Sequence, residues 1–168
     1  VVANPRDELS LRRILNYPAR GIGDATIERI ERFARARRAA FATIALDPRH
    51  VPDIPEAAKD GAERLANAIE KARDRVDKPG LVAMALELFD DVGFRRELED
   101  SGGDAEKKKR WDNVQFVMRS LDRYEKLPSG DRATLATFLS RLTIRRDEEG
   151  DEPGDEVTLS SLHSSKGL

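Results

Sequence analysis

The sequence has no cysteine, which excludes disulfides, thiolate metal sites and cysteine nucleophiles. Aromatic residues make up only 5% of the 168 positions, with a single tryptophan, so the core must be built from Leu, Ile, Val and Ala. Neither sign of charge dominates: 30 Lys and Arg stand against 32 Asp and Glu, for a formal net charge of −2. Whole-chain charge therefore gives no support for nucleic-acid binding, and any such case must rest on local patches. No apolar run approaches the ~20 residues of a membrane span, and the first residues do not read as a signal peptide, so no membrane partner is expected. There is no phosphate-binding loop and no Ser–His–Asp set, and His50 sits in a proline-rich loop without a second ligand nearby. Catalysis by this chain alone is not expected, and no cofactor or metal is assigned to it.

What is present is charge and helical periodicity. Charged residues reach 37%, which favours helices with long solvated faces over a β-sandwich. The spacing predicts an all-α, compact multi-helix domain over residues 1–146. Residues 4–7 read as a turn into a short helix over 8–16, ended by Pro18. Asp24 is the expected N-cap of a helix over 25–38, whose inward face holds Ile27, Ile30, Phe33 and Ala34. A proline-rich loop over 47–55 precedes a long helix over 56–76, with Ala62, Leu65, Ile69, Ala72 and Val76 at helical spacing. A second helix over 81–92 is apolar around much of its circumference and is expected to be central. A short helix over 94–99 and an amphipathic one over 104–127 follow, the latter with Trp111, Val114, Val117 or Met118, Leu121 and Tyr124 inward. The last spans 133–145, with Leu135, Phe138, Leu139 and Leu142 on one face. Residues 147–156 then hold seven acidic side chains in ten, the composition of a solvated linker. Residues 157–162 alternate like a strand that has no partner in the chain. Because the chain starts without methionine and stops at Leu168 in mid-pattern, it is expected to be a piece of a longer protein.

Two segments carry chemistry. Arg20-Gly21-Ile22-Gly23 lies between two helices, in the layout of a helix–hairpin–helix element. Two glycines permit a turn whose successive N–H groups point outward, next to the positive end of the following helix, and such a nest binds phosphate oxygens without reading bases. Ile22 would anchor this hairpin and Arg20 would add a charged phosphate contact. The alternative, a plain glycine turn joining two packed helices, is the one the local pattern by itself favours. Arg29 to Arg38 and Lys107 to Arg110 would either extend a phosphate-facing surface or be ordinary solvated faces. At the other end, Ser161, His163, Lys166 and Gly167 follow the expected strand as a polar turn suited to gripping a phosphate chain, with a surface loop as the alternative.

The ends of the chain resemble a known family. Leu162-His163-Ser164-Ser165-Lys166-Gly167-Leu168 is similar to motif V of UvrD/Rep/PcrA-type superfamily 1 DNA helicases. Asn4, Pro5 and Glu8, followed by Arg13 to Asn16, Pro18, Arg20 to Gly23 and Thr26, resemble the opening of their inserted 2B subdomain. The resemblance implies a regulatory module of an ATP-dependent 3′–5′ helicase of DNA repair or replication, bacterial, cytoplasmic and nucleoid-associated. It implies that Arg20, Gly21, Ile22, Gly23 and Thr26 contact the duplex backbone. Ser161, His163, Lys166 and Gly167 would belong to motif V, at the start of the second RecA-like motor domain. ATP and Mg²⁺ would bind elsewhere in the parent protein. Partners would be a duplex/single-strand DNA junction, the other helicase subdomains and repair or replication proteins. Ser160 and Ser161 depart from the family's apolar residue and threonine, and residues 147–156 would be one strand of the hinge on which the subdomain turns. The competing reading is a protein-recruitment module with little DNA binding of its own.

Overall fold

In the computed structural model of the chain, the described residues are 1–100, 102–127 and 134–148, backbone alone after 142. They are helical, as expected: α1 (Glu8–Ile14), α2 (Asp24–Arg37), α3 (Phe41–Leu46), a 3₁₀ turn at Pro48–His50, α4 (Glu56–Arg73), α5 (Leu81–Asp91), α6 (Phe94–Asp100), α7 (Asp104–Glu125) and α8 (Leu135–Glu148). The chain divides into two compact units, Val1–Phe138 and Leu139–Leu168. α8 carries Asp147 and Glu148, so the first two residues of the acidic run are helical. The rest of that run, and the expected strand over 157–162, lie outside the described residues.

The first half of the larger unit is organised around α4. Its inward stripe of Ala58, Gly61, Ala62, Leu65, Ala68, Ile69 and Ala72 is mostly small, so neighbouring backbones approach closely. Leu11 and Leu15, Ile22, Ile30, Phe41 and Ala45, and Val51 and Ile54 join it in one buried cluster. Each large aliphatic side chain buried there contributes ~1.5–3 kcal/mol relative to exposure. α2 turns Thr26, Ile30 and Ala34 inward, at positions i, i+4 and i+8. It ends on Arg38, which is left-handed at φ 52°, with the Arg38 and Ala39 amides returning to the last carbonyls of the helix. α3, six residues long, is not anticipated by the sequence pattern, because one and a half turns are too short for a periodic signal.

In the second half of that unit, α5 meets α4, α6 and α7. Only Leu81 and Met84 of α5 are fully buried, so the helix is less central than its composition suggests. Its N-terminus is held from outside. The Glu125 carboxylate, at the end of α7, accepts from the amides of Gly80 and Leu81 at 2.8 Å and of Val82 at 3.2 Å. α4 stops at Arg73 rather than at the expected Val76, because the Arg75 and Val76 amides tighten to i−3 carbonyls. Tyr124 packs on Phe138, and its hydroxyl donates to Thr137 at 2.7 Å. No described helix is long and apolar enough to cross a membrane.

Candidate nucleic-acid interface

Residues 15–23 join α1 to α2. Leu15 and Ile22 are buried, which fixes both ends of the loop; the anchoring expected of Ile22, 1% exposed, is what the fold uses. Asn16 organises the turn between them. Its Oδ1 accepts from the Arg20 N–H at 2.8 Å and the Ile22 N–H at 3.1 Å, an Asx side chain standing in for backbone. The hairpin is therefore not a continuous nest of outward amides, since two of its donors turn in toward Asn16.

The outward donors belong to α2. Gly23, extended at φ −79° and ψ 177°, is the N-cap and supplies no side-chain cap. Asp24, the expected cap, is instead the first helical residue. Gly23, Asp24 and Ala25 are exposed, and the first helical bonds, from Thr26 and Ile27 to the Gly23 carbonyl, begin only beyond them. The positive end of a 14-residue helix thus meets solvent beside two glycines. Gly21 is in the left-handed region at φ 75°, whereas a side chain at Gly23 would meet open space.

The other two expected contact residues face inward. Thr26 is 5% exposed, on the buried stripe of α2. The Arg20 guanidinium donates to the carbonyls of Ile14 at 2.8 Å, Pro18 at 3.0 Å and Val92 at 2.8 Å. Burial, and then the nearby charge of Arg64, lower its pKa from the ordinary arginine value, but an arginine so placed remains a cation. Further along α2, Arg35 pairs with Glu31 at 3.7 Å and Arg37 lies over the Phe33 ring. Arg29 and Arg32 have no ion-pair partner among the described residues. Lys108, Lys109 and Arg110 are exposed at the start of α7. Ser161, His163, Lys166 and Gly167 lie outside the described residues.

The sequence alone gives Asn16 no role and does not single out Gly61. A signal for Gly61 is nonetheless present: a lone glycine interrupts an alanine-rich helix at a cost of ~1 kcal/mol relative to alanine. No three His, Asp or Glu side chains converge among the described residues.

Fold and loop together define a small all-helical domain that presents an uncapped helix end beside a glycine turn. The chain belongs to the UvrD-like helicase C-terminal domain family, whose pattern matches residues 1–168. It is 32% identical over 184 aligned residues to the ATP-dependent DNA helicase UvrD1 of Mycobacterium bovis and to that of Mycobacterium tuberculosis. It is 26% identical over 172 residues to the ATP-dependent DNA helicase PcrA of Staphylococcus aureus. Each alignment takes in 100% of this chain but only 24% or 23% of the relative, so the chain spans about a quarter of their length.

Proposed function

We infer that this chain is the 2B-type regulatory subdomain of an ATP-dependent 3′–5′ DNA helicase of repair or replication, and that it holds duplex DNA by its backbone. The observation that carries the reading is the exposed, uncapped N-terminus of α2 beside Gly21 and Gly23, in a chain whose relatives are DNA helicases. The amides of Gly23, Asp24 and Ala25 meet a phosphate, and the flanking glycines allow the DNA backbone to approach. Arg29, one turn further along the same face, adds charge. Arg20, Ile22 and Thr26 belong to the contact by setting its shape. Residues 1–146 form the subdomain, 147–156 a charged hinge and 157–168 the first part of the second motor domain. Ser161, His163, Lys166 and Gly167 serve there as motif V. ATP and Mg²⁺ bind elsewhere in the parent protein, which works in the bacterial cytoplasm at the nucleoid.

The test is fluorescence anisotropy of the chain with a duplex carrying a single-stranded tail, over a salt series. Binding in the non-specific range of ~10⁻⁴–10⁻⁶ M, with log affinity falling by ~0.9 per phosphate for each tenfold rise in salt, is expected. Binding that ignores salt, or none at low salt, overturns the reading. A second reading, recruitment of a protein partner, is favoured by Phe116, 64% exposed on the outer face of α7 next to half-exposed Val117. Loss of a partner, with DNA affinity intact, in Phe116→Ser would single it out.

A further inference from the structure

Contacts from three parts of the chain, residues 14–18, Gly61 and Val92, converge on Arg20. Asn16 takes its backbone N–H, and its guanidinium reaches back to the Ile14 and Pro18 carbonyls. Across the fold, the same guanidinium donates at 2.8 Å to the Val92 carbonyl, at the end of α5. Beneath it, the Arg20 main chain rests on Gly61, in the middle of α4. A glycine there costs the helix ~1 kcal/mol relative to alanine. Alanine does not fit, however: its Cβ would overlap the Arg20 carbonyl oxygen and lie 2.8 Å from the Arg20 Cβ. A second contact closes the same corner, where the Tyr17 ring stands edge-on to Phe94 with centroids 6.0 Å apart.

We propose that Gly61 and Arg20 are positioning residues for the duplex contact: Gly61 seats the hairpin on α4, and Arg20 clamps it to α5. Gly21, Gly23 and the first turn of α2 then face the DNA in a fixed orientation. This role rests on the proposed duplex contact. Arg20 acts through carbonyl groups and not by touching phosphate, and that distinction can be tested. A planar guanidinium satisfies three carbonyls from two of its nitrogens, whereas the ammonium of lysine is a compact point charge on a flexible stem. A phosphate contact therefore survives Arg20→Lys, which keeps the charge, while a clamp does not.

The experiment takes the whole 168-residue chain as Arg20→Lys, Gly61→Ala and the double variant, with two readouts. Amide hydrogen exchange at residues 20 and 22, both bonded to Asn16, reports whether the hairpin is held. Anisotropy with the tailed duplex reports the contact. Each single variant is expected to speed exchange at both amides and weaken binding about tenfold, the scale of losing one charge-assisted hydrogen bond. The double variant should be no worse than the weaker single one, because both changes act on one element. Arg20→Lys adds nothing to a packed contact and carries the test alone if Gly61→Ala does not fold. Unchanged exchange overturns the clamp, and unchanged binding beside it in Arg20→Lys is what a direct phosphate contact through the retained charge predicts. Faster exchange with full affinity overturns the duplex role of the hairpin itself and leaves the clamp to the fold.

Discussion

Four residues in and beside the hairpin carry separable duties. Asn16 holds two amides with one oxygen. Asn16→Ala leaves both without their acceptor and should cost ~1–2 kcal/mol in a urea titration; an unchanged midpoint would mean that water replaces the side chain freely. The glycines differ in kind. Gly21 needs its positive φ, so Gly21→Ala strains the backbone by ~1–2 kcal/mol. Gly23 is extended with open space around it, so Gly23→Ala meets no clash and should cost only the ~0.5–1 kcal/mol by which alanine is the poorer N-cap, while placing a methyl where the DNA backbone approaches. Asp24 has opposite effects on fold and contact. Its carboxylate suits the positive end of α2 but repels phosphate at the same place. Asp24→Asn should therefore tighten duplex binding roughly threefold, the scale of an exposed charge interaction, and slightly destabilise the helix. Weaker binding in this variant would place the phosphate away from α2.

At the scale of elements, α5 depends on a residue 43 to 45 positions away in sequence: its first amides are closed by Glu125 and by no side chain of its own. Glu125→Ala should cost ~1–2 kcal/mol, as lost helix caps do, and lower the urea midpoint with little change in slope. Glu125→Gln, which keeps an acceptor, should fall between. Such a cap cannot be read locally, since nothing near Gly80 announces an acceptor contributed by α7. Local order is readable for the complementary reason. Leu65, Ile69 and Ala72 recur at helical spacing whatever they pack against, and the turn at Asn4 to Asp7 leads into α1 as expected. Gly21 and Ile22 mark the hairpin because a positive φ and an anchor leave residue-type signatures. What escapes are partners set by tertiary contact: Asn16 closing the amides, Val92 receiving Arg20, and Gly61 making room. The direction of a side chain as long as that of Arg20 is decided by what surrounds it.

For the whole molecule, acid and salt should act on different properties. Asp7, hydrogen-bonded by Ser10, Asp47, held by Arg49, and Glu87, held first by Lys71, all lie below the ordinary carboxylate range. A depressed folded pKa adds stability that is complete above the unfolded value and drains away as pH falls through the folded one. Stability should thus be flat from neutral pH to about 5 and fall below about 4, as urea midpoints across pH would report. Salt reaches the same groups weakly. The pairs of Lys71 with Glu87 and Asp91, and of Arg75 with Glu87, join the end of α4 and the turn after it to α5 but are substantially exposed, and ion pairs of that kind contribute little that screening can remove. DNA binding responds to salt by another route, through counterions released from phosphate, and a body of net charge −2 adds no long-range attraction to offset the loss. Raising salt from about 50 to about 200 mM should therefore leave the melting temperature nearly unchanged while duplex affinity drops severalfold, by an amount that counts the phosphates engaged at α2. Melting temperature and anisotropy measured on the same samples decide it. A parallel fall in both would mean that salt acts on the fold, and that the loss of binding says nothing about phosphate.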